Sequence, residues 1–202
     1  MLLYNSQVSG NCYKVRLLLA QLGLDYERRE VSVIDRSNRA ELLGDLNPSL
    51  RVPTLVLDDG RPLAESDAIL CYFAEGTPYL PEDRYERAQV LQWLFFEQYS
   101  HEPNIAVARA WLHVFDTKIT EERRTVLEAK QKLGYNALRV METHLESNDY
   151  FVGDHYSIAD IALYAYTHVA DEGGLDLDGY PAILAWLERV SSQPKYIPIT
   201  QG

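Results

Sequence analysis

Two short stretches carry side chains whose types and spacing could do chemistry. The first is Ser9-Gly10-Asn11-Cys12, which lies between a short apolar run, Met1-Leu2-Leu3-Tyr4, and a segment with helical apolar spacing at Val15, Leu18, Leu19 and Leu22. A Cys-x-x-Cys at such a turn would be a redox pair; with serine at its first position, two-thiol exchange within the chain is closed here. A serine hydroxyl can instead donate a hydrogen bond to a bound thiolate. The positive end of the following helix adds to that effect and favours ionisation of the thiol. The Asn11 amide can donate in the same way. Both residues are also preferred helix caps, and capping alone would account for them. Cys12 reads as a small buried apolar residue rather than a nucleophile.

The second stretch runs from Asn47-Pro48 through Arg51-Val52-Pro53-Thr54-Leu55-Val56-Leu57 to Glu65-Ser66-Asp67. Pro53 has no amide hydrogen and biases Val52 towards an extended backbone. A cis bond at this point would turn the Val52 main chain outward, where an extended peptide could add to it as a strand. Glu65 and Ser66 stand at a helix start, where free N–H groups and the helix dipole favour an anion. A carboxylate beside a serine there could receive both ends of an α-amino acid, Glu65 taking the ammonium and Ser66 the carboxylate. Capping by Ser66 is the alternative. Arg51 could reach a terminal carboxylate, although a loop arginine is commonly just solvated.

Around these stretches the pattern alternates strand and helix. Met1–Tyr4 reads as a buried strand, the segment after Gly10 as a helix ended by Gly23, and Tyr26–Val33 as a strand. Ser37–Leu43 reads as a short helix, followed by a hairpin turning at Asp59-Gly60 and a helix from Ser66 to about Glu75. The order β-α-β-α-β-β-α is that of a thioredoxin-like α/β domain, residues 1–76. Residues 77–84, with Pro78 and Pro81, read as a linker. The remainder, 85–202, reads as an all-α domain. A helix from Glu86 to Ser100 is apolar on nearly all sides, Pro103 interrupts, and Asn104–Phe115 resumes helical spacing. A long helix opens at Thr120 with an apolar stripe at Leu133, Ala137, Val140, Met141 and Leu145. Ser157-Ile158-Ala159-Asp160 forms a capping box with Asp in place of Glu, heading an apolar helix expected to be the central post of this half. A last helix covers Ala182–Ser191.

Composition narrows the partners. The 202 residues carry 19 Lys plus Arg against 30 Asp plus Glu, a formal net charge of −11. That balance excludes nucleic acid as an expected partner and requires local groups to hold any anionic ligand. No run approaches the length of a membrane helix, and the N-terminus lacks a basic leader and long apolar core, so neither a membrane span nor a signal peptide is expected. Two cysteines are too few for a disulfide framework, which fits a reduced, cytoplasmic setting. The five histidines are scattered and no metal-ligand spacing occurs.

Taken together, Ser9-Gly10-Asn11-Cys12, Asn47-Pro48, Val52-Pro53-Thr54-Leu55, Glu65-Ser66-Asp67-Ala68-Ile69 and Tyr156-Ser157-Ile158-Ala159-Asp160 resemble, in order and spacing, the cytosolic glutathione transferases, over the whole chain. The active-site loop is similar to those of the theta, delta and nu classes. The resemblance implies that Pro53 is cis, that Val52 pairs with the cysteinyl main chain of glutathione, and that Glu65 and Ser66 hold the γ-glutamyl end. It aligns Ser9 with the activating serine and Asn11 with the amide used by some bacterial members; Tyr4 is a secondary candidate. Glutathione then acts as co-substrate, with no resident cofactor, against a small hydrophobic electrophile or a peroxide. Its pocket would draw on Tyr99, His101, Asn104, Ala108 and Trp111, with His101 read as a loop or cap residue rather than a base. A homodimer through the aromatic helix Trp93–Tyr99 and a role in detoxification are further implications. Two departures matter: Asn11 replaces the usual proline before the helix-start cysteine, and Asp67 stands where many members have Arg or Gln. Glutathione-dependent reduction of disulfides or peroxides, and a non-catalytic binding module, are the alternatives.

Overall fold

The computed structural model describes residues 1–115 and 118–201. The chain divides into two compact units, Met1–Thr77 together with the tail from Pro194, and Pro78–Gln193.

The first unit is built on a four-stranded sheet of order β2-β1-β3-β4, with β1 (Leu2–Asn5), β2 (Glu27–Glu30), β3 (Thr54–Val56) and β4 (Pro62–Ala64). β1 runs parallel to β2, and α1 (Gly10–Leu22) makes the crossover; β1–β3 and β3–β4 are antiparallel. The hairpin closes at Gly60, whose φ of 85° only glycine adopts without strain. Side chains alternate across the sheet: Leu3 and Leu55 pack with Val15 and Leu19 of α1 and Ile69 of α3 (Ser66–Ala74), whereas Tyr4 packs with Val31 and with Leu43 of α2 (Arg39–Leu43). This is the expected thioredoxin-like order. The second strand is shorter than Tyr26–Val33: it ends at Glu30, after which Val31 N donates to Asn5 O (2.7 Å) and its side chain enters the core with Tyr4. What remains is Glu27-Arg28-Arg29-Glu30, an exposed charged edge that discourages further strand pairing.

The second unit is helical, as expected. α4 (Arg84–Phe96) starts at the N-cap Asp83, whose carboxylate accepts from the N–H groups of Tyr85 and Glu86. Pro103 does not interrupt the helix that follows. A π-helical turn, Glu97–His101, leads directly into α5 (Glu102–Arg109), with the proline in the first turn of α5, where its missing N–H costs nothing. A second π turn, Ala110–Val114, ends this run. α6 (Glu121–Leu145) buries Leu127, Gly134, Ala137, Leu138, Met141 and Leu145. Leu133 and Val140, expected in its core stripe, are about half exposed (48% and 49%) because α5 covers only the neighbouring face. Gly134 is needed there: a Cβ at that position would stand 2.7 Å from Leu175 Cδ2. Every residue of α7 (Ile158–Thr167) is buried, so it is the post of this unit, and α8 (Pro181–Ser191) packs on it and on α6.

The tail from Pro194 is expected on sequence to belong to the helical half, but its carbonyls are held by the first unit. The Tyr13 hydroxyl donates to Ile197 O (2.7 Å), and Arg16 Nη2 and Gln7 Nε2 donate to Ile199 O (2.8 and 2.6 Å).

Candidate functional site

Ser9 is the N-cap of α1, with extended backbone (φ −81°, ψ 122°) and half-buried. Its Oγ accepts from Cys12 N at 3.3 Å. That bond uses a lone pair and leaves the hydroxyl hydrogen to donate elsewhere, so capping does not exclude a second role. The loop in front of Ser9 is held from behind by Arg16, fully buried, which donates to Asn5 Oδ1 (2.8 Å) and Gln7 O (3.2 Å). Asn11 lies half-buried in the first turn of α1. Cys12 is fully buried, and that burial pushes its thiol up to about 11, which removes it as a nucleophile near neutral pH. Tyr4 is buried in the core beside Val31 and Leu43.

The Val52–Pro53 bond is cis. The turn before it is fastened by side chains: Arg39 Nη1 donates to Leu50 O (3.1 Å), while Asn47 Nδ2 and Thr54 Oγ1 donate to Arg51 O (3.1 and 2.8 Å). With the two preceding carbonyls tied down, the Val52 main chain comes next, outside the β3–β4 ladder, and forms no hydrogen bond among the described residues. An extended peptide can pair there. The Arg51 side chain is exposed.

At α3 the capping alternative does not hold. Glu65, not Ser66, occupies the N-cap position, and its exposed side chain makes no bond to the helix. Its φ of 66° is left-handed, which costs a non-glycine residue on the order of 1 kcal/mol or more. Ser66 is the first helical residue, and its Oγ accepts from Lys14 Nζ at 3.3 Å. Lys14 Nζ also meets Asp67 Oδ1 at 3.1 Å. The other Asp67 oxygen is buried without a hydrogen-bond partner. The N-terminus of α3 is therefore open and carries a fixed ammonium, and α1 presents Ser9 about one helical turn before Lys14. Such an arrangement can hold a carboxylate at α3 and polarise a thiol at α1.

Two family models match the chain: the N-terminal domain of glutathione S-transferases over residues 8–75, and the C-terminal domain of the same family over residues 87–194. The chain belongs to the glutathione S-transferase family. A glutathione S-transferase structure from Pseudomonas fluorescens Pf-5 is 50% identical, with a TM-score of 0.94 over 99% of this chain and 98% of that one. Another, from Xanthobacter autotrophicus Py2, is 44% identical with a TM-score of 0.90 over 98% and 96%. Among characterised relatives, the disulfide-bond oxidoreductase YfcG of Escherichia coli K12 is 32% identical over 91% of this chain and 87% of its own length.

In the helical unit of this family member the five second-substrate candidates separate. Tyr99 is 87% exposed, and it and the buried Asn104 line an open groove of about 580 Å³ with Phe96, Lys130, Leu133 and Val140. Asn104 Nδ2 donates to Ser100 O (2.7 Å), and Lys130 Nζ to Asn104 Oδ1 (3.4 Å). His101 stands at the N-cap position of α5, as the cap alternative expects, but its side chain makes no capping bond to that helix. It is fully buried in the π turn, with Nε2 2.8 Å from Thr167 Oγ1. Because that hydroxyl donates to Leu163 O, His101 Nε2 carries the proton. Ala108 is core, and Trp111 is half-buried. Among the described residues no group of three or more His, Cys, Asp or Glu is placed to hold a metal ion, and no helix is long and apolar enough to cross a membrane.

Sequence reasoning missed Lys14, Arg16 and Arg39. All three are charged side chains buried behind the loops that carry the candidate residues. The available signal was a Lys and an Arg inside a helix whose other positions are largely apolar.

Proposed function

We propose that this protein is a glutathione transferase that binds glutathione in its first unit and stabilises the thiolate. The observation that carries this reading is the pair of helix N-termini joined by Lys14: one presents the Ser9 hydroxyl, the other is open beside a strained Glu65. Val52 pairs with the cysteinyl main chain, Pro53 shapes the turn, and Glu65 and Ser66 hold the γ-glutamyl end, with Arg51 at the rim. Ser9, with Asn11 beside it, donates to the sulfur and populates the thiolate near neutral pH. The thiolate then attacks a small hydrophobic electrophile, with glutathione consumed as co-substrate and no resident cofactor required.

A second reading has a specific support, the oxidoreductase named among the relatives. In it the same thiolate attacks a disulfide or peroxide. A second glutathione resolves the mixed disulfide formed from a disulfide, or the glutathione sulfenic acid formed from a peroxide, so two thiols are oxidised to one glutathione disulfide while the substrate takes up two electrons and two protons. A non-catalytic module, with glutathione structural or absent, would turn over neither class of substrate. Calorimetric titration with glutathione followed by product analysis separates the three. A thioether conjugate supports the transferase, glutathione disulfide supports the reductase, and binding without product supports the module. Absence of binding rejects the transferase and the reductase and favours the module.

The protein is further proposed to act as a cytoplasmic homodimer. Leu91, Phe95 and Tyr99 (40%, 70% and 87% exposed) form an apolar row along one helical run, and the half-exposed Leu133 and Val140 line the adjoining groove. Such a continuous apolar strip on an acidic protein is the surface of a subunit interface. Sedimentation at micromolar concentration should give twice the chain mass, and Phe95→Glu should give the monomer. A monomeric native protein rejects the dimer.

A further inference from the structure

In the reading above Lys14 only joins the two helix starts, yet it is the feature that most distinguishes the head of α3 from an ordinary helix start. Its side chain is completely buried, and its ammonium reaches Ser66 Oγ (3.3 Å) and Asp67 Oδ1 (3.1 Å). An ammonium can only donate, so Ser66 Oγ is the acceptor of that bond, and the Ser66 hydroxyl hydrogen must turn elsewhere. Its one internal alternative among the described residues, Asp67 Oδ1, lies at 3.5 Å, the limit of a hydrogen bond. Ser66 is thereby set as a donor towards whatever occupies the helix start. A fixed positive charge stands directly behind it, in a protein whose overall charge of −11 repels anions. A buried ion pair adds little net stability over apolar residues of similar volume, so general fold stabilisation does not explain why this one sits against the first hydroxyl of α3.

We propose that Lys14 is a positioning residue that makes the head of α3 selective for a free carboxylate: it fixes Ser66 as a hydrogen-bond donor and supplies the charge that the glutathione γ-glutamyl carboxylate meets. This rests on the glutathione reading and adds a specificity to it. The buried Asp67 carboxylate holds the ammonium at this place when no ligand is bound.

The test compares glutathione with 4-aminobutyryl-cysteinylglycine, which differs only in lacking that carboxylate. Wild-type protein should bind glutathione at least tenfold more tightly than the analogue. Lys14→Met should weaken glutathione about 30-fold, as expected when one partner of a desolvated charged hydrogen bond is removed. It should leave the analogue within twofold and the ionisation of the bound thiol unchanged. A purely structural Lys14 would move both ligands together. A Lys14→Met protein that keeps the wild-type ratio overturns the proposal. Wild-type protein that binds no glutathione overturns the glutathione reading and this proposal with it. Should Lys14→Met fail to fold, nitrogen-15 NMR of the lysine ammoniums in wild-type protein decides: glutathione must shift the Lys14 signal and the analogue must not, and an equal response, or none, overturns the proposal.

Discussion

Two helix starts in this molecule use the same residue types to opposite ends. At α7, Ser157 Oγ accepts from Ala159 N (3.2 Å), and the Asp160 carboxylate accepts from Ser157 N (2.9 Å), Phe151 N (3.2 Å) and Trp186 Nε1 (2.9 Å). Every group there is answered from within and buried. At α3, Glu65 caps nothing, Ser66 is drawn towards Lys14, and one oxygen of Asp67 has no partner. A serine with a nearby aspartate is a structural device when the spacing lets the pair close on the helix N–H groups. It leaves the helix start open when a buried cation holds the pair away from them. The difference lies in the third residue, Trp186 or Lys14, which comes from elsewhere in the chain.

The largest effect that tests this contrast is at the closed start. Asp160→Ala strands two backbone N–H groups and an indole N–H in the core and should lower the unfolding free energy by about 3 kcal/mol or more in urea titrations. A loss under ~1 kcal/mol would show that the α7 network is not structural. The same carboxyl is pushed by burial from 3.8 up to about 6. The folded state therefore binds more protons than the unfolded one between these values, and stability contributed by the group is full below about 4 and lost as pH rises through about 6. Asp160→Asn should flatten stability across that window.

At the open start the expectation is reversed. Ser66→Ala takes one acceptor from the buried Lys14 ammonium and should cost about 1 kcal/mol, well short of Asp160→Ala, while raising the glutathione dissociation constant at least about tenfold by calorimetry. A large stability loss with unchanged binding would make α3 another closed cap. Ser9 caps α1 and is the proposed donor to the sulfur, so it tests both roles at once. Ser9→Ala should cost ~1 kcal/mol in stability and raise the pKa of the bound glutathione thiol by about one unit, read from the thiolate absorbance, with affinity nearly unchanged. If that absorbance profile moves with Asn11→Ala instead, the donor is Asn11. The smallest effect is at Glu65: Glu65→Gly relieves the left-handed backbone and should gain about 0.5 kcal/mol while weakening glutathione binding, the exchange expected of strain held for function.

Much of the frame was legible because it rests on local chemistry. Gly23 sits at φ 70° just after α1, Gly60 closes the hairpin, and the Ser157–Asp160 box forms as its spacing demands. Each depends on a few consecutive residues. What misled was equally specific. Pro103 reads as a break, but a π turn before it absorbs the irregularity. Leu133 and Val140 fit a core stripe by period, yet only packing by α5 decides which neighbouring face of α6 is covered. The histidine at position 101 looked like a loop residue because that break was expected beside it.

For the candidate site, sequence alone was enough to nominate Ser9, Asn11, Val52, Pro53, Glu65 and Ser66, since turn chemistry and helix starts mark where backbone groups stay unpaired. It could not nominate Lys14, Arg16 or Arg39, nor assign the tail to the first unit. A charged side chain on a helix is exposed by default, and what buries these three is chain from far away in sequence: the start of α3 above Lys14, the tail carbonyl of Ile199 on Arg16, the Leu50 carbonyl on Arg39. Local sequence determined which residues face an open helix end or strand edge. Only tertiary structure decided which charges stand behind them, because burying a charge requires a partner that composition and spacing do not specify.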